Sequence, residues 1–285
     1  MKNMKTEQLE LPEDELLQPS PEPERGTIIP LRLPTRHNPK LQKLIDIINQ
    51  DQEVFALWEC ANINAVDRLG MSDHGPIHVR IVANIALRIH RLLVGSGVKP
   101  SVVQDHGMDQ KDAEVVTVLA ALTHDLGMSI HRIDHEQFSL FVAQDLIKKW
   151  LSQVYDLREA TILRSEILHA IISHRSGGSP LTLEGGIVRV ADALDMSKGR
   201  SRIPFEAGQI NIHSLSAAAV DRVDITAGKV KPIHIAITMS NSAGIFQVDE
   251  LLREKLKGSG LEPYLEVEAM IEGESEKKLV HLLRM

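Results

Sequence analysis

The chain has 285 residues, 43% of them hydrophobic and 25% charged, with a single cysteine, so it can bury a sizeable core without disulfide support. A net charge of -7 offers no basic face for nucleic acid, and no apolar run approaches the length of a membrane span. With one cysteine and no signal-peptide pattern, the expected compartment is the cytoplasm.

Residues 1–37 read as an extended or disordered tail, because residues 1–29 carry seven acids against Lys2, Lys5 and Arg25 and are broken by Pro12, Pro19, Pro21 and Pro23. Asn38-Pro39 is a cap and first-turn pair for a helix through about Asn49, and a second helix is expected from about Glu53 to Val66, with Cys60 as a small core residue. His74-Gly-Pro-Ile-His78 opens a third helix, along which Ile81, Val82, Ile85 and Ile89 follow His78 at helical spacing, so His78 faces the core. Residues 95–112, with Gly95, Gly97, Pro100 and Gly107, read as a long loop able to cover a site.

The apolar run Val115 to Thr123 then carries His124-Asp125 inward. Burying an imidazole beside a carboxylate is costly unless a partner satisfies both, and a divalent cation does so directly. His131 and His135 follow the pair, and His169 and His174 close a helix from Thr161 that stops at Arg175-Ser-Gly-Gly-Ser-Pro. Further on, Ile187-Val-Arg-Val-Ala-Asp192 places an acid among residues that must pack inside. Three separated helices thus offer His78, His124, Asp125 and Asp192 to one interior point. Lys198, Arg200 and Arg202 leave that last helix; they either complement its dipole or contact a phosphate, with Arg175 as a fourth candidate. His37, His90, His106, His213, His234 and His281 lie outside ligand-like spacing and read as ordinary surface or strand positions.

From about residue 206 the hydrophobic period changes from 3.6 to 2 in Ile210-Asn-Ile212, Val223-Asp-Ile225 and Ile233-His-Ile235-Ala-Ile237. A helix from about Gly244 to Lys257 and strands near 264–271 and 278–284 complete a small α+β unit over 206–285. The fold class is therefore mainly α, a helical bundle over 38–205 followed by that unit.

His78 in His-Val-Arg-Ile-Val-Ala, His124-Asp125 in Leu-Thr-His-Asp-Leu-Gly and Asp192 in Arg-Val-Ala-Asp-Ala-Leu-Asp resemble the signature of the HD superfamily of metal-dependent phosphohydrolases. The resemblance covers roughly residues 40–205 and implies an all-α catalytic bundle in which these four residues bind metal and Asp125 also serves catalysis. Met128 and Ser129 follow the glycine where many members carry a lysine, so no basic contact is carried over from there. Members with extra histidines hold a second ion, which would make His135 and His174 further ligands; the residues alone leave them equally open as outer contacts or solvent-facing side chains. The His74-x-x-x-His78 spacing looks like that of cyclic nucleotide phosphodiesterases of the same superfamily, implying a general acid, while a His ahead of a helix is also often a cap.

A mixed nitrogen and oxygen donor set suits manganese, iron, cobalt, nickel or zinc better than calcium, with magnesium less natural but admissible, as one ion or two. Bound water then becomes a hydroxide nucleophile near neutral pH. The expected function is hydrolysis of a small phosphomonoester or phosphodiester, with a nucleotide suggested by fold analogy alone. The alternative is a non-catalytic regulatory protein that binds a nucleotide or metal and acts through its C-terminal unit. Nothing in the chain decides for or against a homo-oligomer.

Overall fold

The computed structural model describes residues 29–175, 177–196, 216–272 and 283–284. In chain order these form α1 (Pro39–Ile48), α2 (Gln52–Asn62), α3 (Pro76–Gly95), α4 (Ser101–His106), α5 (Gln110–Thr123), α6 (His135–Leu151), α7 (Leu157–Ser173), α8 (Leu183–Leu194), β1 (Val220–Ala227), β2 (Ile233–Met239), α9 (Arg253–Leu256), β3 (Leu265–Ile271) and β4 (Leu283–Arg284). The mainly helical architecture with a small sheet at the end is the one the patterning predicts. Most of the tail expected over 1–37, the strand expected at Ile210-Asn-Ile212 and residues 278–282 lie outside the described residues.

The helix starts follow from side chains that accept the orphan amides of a first turn. Asn38 accepts from the Leu41 amide ahead of Pro39, Asp51 from Glu53, Asp156 from Glu159 and Thr182 from Gly185. Asp109 and Asp112 form a reciprocal capping box at the head of α5. The second helix ends in a wider π turn over Ile63–Arg68. Cys60 is exposed, not a core residue: Val54, Phe55, Trp58 and Ala61 take the buried stripe of α2, and a position two past Trp58 points away from it.

α5 is the axis of the bundle. Its residues from Val115 to Thr123 are buried on every side, enclosed by α3, α7 and α8, the pattern of an interior helix. Residues 95–112 are not a covering loop. They fold into α4 and the head of α5, and α4 is held at its N-terminus by Glu184, whose carboxylate accepts from the Ser101 and Val102 amides at 3.2 and 3.1 Å. That segment follows the C-terminal end of α3, while His78 lies near the N-terminal end, about 25 Å away by helical rise.

The sheet runs β1-β2-β3-β4, with β2 and β3 parallel and the outer pairings antiparallel. Ile233, Ile235, Ile237 and Met239 stand opposite Leu265, Val267, Ala269 and Ile271, so alternate residues of both strands make one buried apolar face. The β2 to β3 crossover is helical, in a π turn over Gln247–Leu252 and then α9, matching the helix expected there. These elements pack on α3 and α8, and one apolar cluster runs from the bundle into the sheet. A close approach is at Gly186 on α8, where an added Cβ would stand 2.2 Å from the Ser259 carbonyl oxygen. Among the described residues no helix is long and apolar enough to cross a membrane.

Gly186→Ala should therefore lower stability by about 1–3 kcal/mol through overpacking. Urea unfolding is the measurement, and an unchanged midpoint would show that segment 258–260 yields without cost.

Candidate metal centre

The centre is assembled from helix ends. α5 stops at Thr123, with His124 as its C-cap, and its last carbonyls are taken up locally. The Ala121 carbonyl accepts from His124 Nδ1 at 2.8 Å, Leu122 from Trp58 Nε1 at 3.0 Å and His124 from the Ser139 hydroxyl at 2.6 Å. The Ser139 hydroxyl in turn accepts from the Gly127 amide at 2.8 Å. Gly127 has no room for a side chain, since a Cβ would fall 2.0 Å from the His135 carbonyl oxygen. This close approach seats the first turn of α6, and with it His135, against the chain just past Asp125.

The other ligand-type residues arrive the same way. Asp73 caps α3 by accepting from the Gly75 and His78 amides at 2.8 and 3.0 Å. At the end of α7, His174 Nδ1 donates to the Ile171 carbonyl at 2.6 Å, and Asp192 occupies the last turn of α8. His78 Nδ1 is 2.6 Å from Asp195 Oδ2, and His135 Nδ1 is 3.1 Å from the Arg132 carbonyl. In all four histidines Nδ1 is engaged outward and Nε2 points inward, the arrangement that outer contacts impose on metal-binding imidazoles.

The inward atoms meet on Asp125. Its Oδ2 lies 3.3 Å from His78 Nε2 and 3.4 Å from His124 Nε2, while Oδ1 lies 3.3 Å from His135 Nε2 and 3.6 Å from His174 Nε2. Asp192 Oδ1 is 3.6 Å from both His78 Nε2 and His124 Nε2. Three overlapping groups, His78/His124/Asp125, His124/His174/Asp192 and Asp125/His135/His174, each have ligand atoms close enough to hold an ion. Neighbouring donors around an ion with bonds of about 2.1 Å stand about 3 Å apart, so these histidine–aspartate pairs are only a few tenths of an ångström wider than that. The residues that the sequence pattern selected, His78, His124, Asp125 and Asp192, are thereby brought together, and His135 and His174 join them.

The charges make sense of that proximity. Burial alone would lower the pKa of His124, but the carboxylates of Asp125 and Asp192 outweigh it and lift it to about 10. Burial opposes ionisation of Asp125 too, yet the charge of His124 and hydrogen bonds from His124, His135 and His174 hold its carboxyl well below the usual range. Asp192 is likewise held low against burial, by Lys255 and His124. Buried acids and imidazoles here neutralise one another through shared protons, which a divalent cation can replace.

Two participants carried no ligand signal in the sequence. Asp195 is three residues past Asp192 in the same apolar run and proves to orient His78. Lys255, from α9 in the sheet unit, places Nζ 3.3 Å from Asp192 Oδ2 and also donates to the His174 carbonyl. Its Arg-Glu-Lys stretch falls within the helix expected from about Gly244 to Lys257, and nothing local marks it out. Behind it, buried Arg189 donates to the Lys255 carbonyl at 2.7 Å, the Glu254 carbonyl at 3.2 Å and the Arg175 carbonyl, tying the ends of α7, α8 and α9 together.

Arg175 is exposed beside His174, whereas Lys198, Arg200 and Arg202 lie outside the described residues. His74 is not on the helix, which begins at Pro76, but it is buried, its Nδ1 2.6 Å from the Ser72 carbonyl oxygen and its ring centroid 5.5 Å from that of His78. His131 accepts from the Ile133 amide and His169 from the Leu181 amide, both away from the centre. His90 is not a surface residue: it sits in the core, 2.9 Å from the Thr117 hydroxyl, where burial lowers its pKa to about 4. Its i+4 succession to Ala86 and Val82 puts it on the buried stripe of α3.

Because His124 holds a proton in the metal-free protein up to about pH 10, metal uptake at pH 7 should release protons, and apparent affinity should rise with pH. Calorimetric titration of metal in buffers of different ionisation enthalpy measures this. Uptake without proton release would show that His124 is neutral in the metal-free protein.

The HD domain family model matches residues 77–197, the span that contains all six clustered histidines and aspartates. An uncharacterized protein of Methanocaldococcus jannaschii is 43% identical over 231 residues, covering 81% of this chain and 89% of that one. No solved structure matches the chain. With the family motif matched and its histidines and aspartates converging on one point, the chain belongs to the HD-domain family.

Proposed function

We propose that this protein is a divalent-metal phosphohydrolase that cleaves a small phosphomonoester or phosphodiester, a nucleotide being the favoured class. The observation that supports it best is Asp125, whose two oxygens face two different pairs of imidazoles, His78/His124 and His135/His174. In this reading His78, His124, Asp125 and Asp192 hold one ion, and Asp125, His135 and His174 hold a second. Manganese, iron, cobalt, nickel or zinc suit that mixed donor set, with magnesium admissible. Such ions supply Lewis-acid polarisation of a phosphoryl oxygen and lower the pKa of water.

The chain's own residues do the rest. Asp125 keeps the two clusters in fixed relation through its shared carboxylate, and Asp195 keeps His78 in the tautomer with Nε2 inward. His74, with Nδ1 engaged by the Ser72 carbonyl, is assigned the handling of the leaving-group proton at Nε2. Arg175, Lys198, Arg200 and Arg202 are assigned to the anionic substrate. The nucleotide preference rests on fold analogy, and the cytoplasm is the compartment in which we place the reaction.

Purified protein should carry two ions per chain and release phosphate from a phosphoester panel in a metal-dependent way. His135→Ala should bring the content toward one ion, and Asp125→Ala should lose both ions and all hydrolysis. Elemental analysis and a phosphate-release assay decide it. Saturation at one ion, unchanged in His135→Ala, would remove the second site; a fully loaded protein silent across the panel would favour a non-catalytic binding role.

A further inference from the structure

The donors of the centre are not equally shielded. The side chains of His78 and His124 are 0% exposed, His174 2%, Asp125 5% and His135 8%, whereas Asp192 is 15% exposed and Lys255 beside it 20%. The most exposed side of the centre is thus the Asp192 side, and Lys255 stands there.

Lys255 is also held firmly for a lysine. Its carbonyl accepts from Arg189 Nε at 2.7 Å, and its ammonium donates to Asp192 Oδ2 and to the His174 carbonyl. An ammonium has three N–H groups and no acceptor, so one donor remains. In the metal-free protein Lys255 balances Asp192, and a ligating carboxylate keeps such an outer hydrogen bond on its free oxygen. A cation fixed there, beside an acid that can bind an ion, is also placed to share an anion with that ion. The family's usual basic position offers no competitor, since Met128 is buried against Ala61 and Ala65. Arg132, another cation at the cluster, meets the outward nitrogen of His135, behind the inward-facing atoms.

We propose that Lys255 is a substrate-binding residue, which uses its remaining N–H on a phosphate oxygen at the Asp192 side of the centre, so that the C-terminal sheet unit completes the site. The assignment rests on the phosphohydrolase reading.

The test is calorimetric titration of inorganic phosphate into metal-loaded wild-type and Lys255→Met protein, with ion content and melting temperature measured alongside and KM measured on the best phosphoester. Lys255→Met should keep its ions, bind phosphate at least about tenfold more weakly, as expected for loss of a charged hydrogen bond, and show the loss mainly in KM; Lys255→Arg should recover part of it. Phosphate binding equal to wild type in a fully loaded Lys255→Met protein overturns the assignment, and so does loss of metal, which would make Lys255 a positioning residue for Asp192. Wild-type protein that is loaded yet binds no phosphate and hydrolyses nothing overturns the phosphohydrolase reading itself, and this proposal with it. If Lys255→Met does not fold, Lys255→Gln, which keeps a donor toward Asp192 and His174 without the charge, is titrated with the same outcomes.

Discussion

Asp125 is a buried carboxylate with four imidazole nitrogens within 3.6 Å of its two oxygens, and the ends of four helices are arranged to make that possible. Two of the histidines use one device. His124 and His174 each cap the helix that carries them and donate Nδ1 to the carbonyl three residues back. At α5 the bond satisfies a carbonyl near the helix end, at α7 it adds to the His174 amide already on the Ile171 carbonyl, and in both it turns Nε2 away from the helix. His78 and His135 come instead from first turns, at helix N-termini, where the dipole favours the nearby carboxylate charge.

Arg189 does for the surroundings what Asp125 does for the centre. A buried guanidinium is expensive unless its donors are filled, and here they go to backbone carbonyls at the ends of α7 and α9. Helix C-termini present unpaired carbonyls and a negative dipole end, so a cation between two of them meets both needs. As Arg189 sits three residues before Asp192 on α8, the same side chain fixes the loop after His174, the backbone of Lys255 and the helix bearing a metal-type acid.

What was legible in the sequence follows from how local each signal is. The four main donors could be read because each lies in an apolar run whose period fixes its inward face, as with His78 ahead of Val82 and Ile89 or Asp192 among Val188, Val190 and Ala191. Caps such as Asn38-Pro39 were equally visible, since their chemistry spans three residues. His135 stayed ambiguous because its placement depends on Gly127 admitting the α6 backbone, and His174 because it meets Asp125 from a separate helix; both are contacts between segments. Lys255 was invisible, for it reaches Asp192 across 63 positions through the packing of a sheet unit whose own pattern says nothing of the bundle. His90 was misplaced for a simpler reason: an imidazole on a buried stripe was read by residue type instead of by its helical position.

The separation of donors by shared protons bears on the order of assembly. A small zinc domain has few apolar contacts and needs its ion in order to fold. Here α5 is buried along its whole apolar run by α3, α7 and α8, and the charged groups at its end are already balanced: Asp125 by protonated imidazole, Asp192 by Lys255 and His124. The bundle can therefore close first and exchange protons for cations afterwards. Because the clustered atoms already face one another, such an exchange needs little reorganisation of the helices and depends on pH.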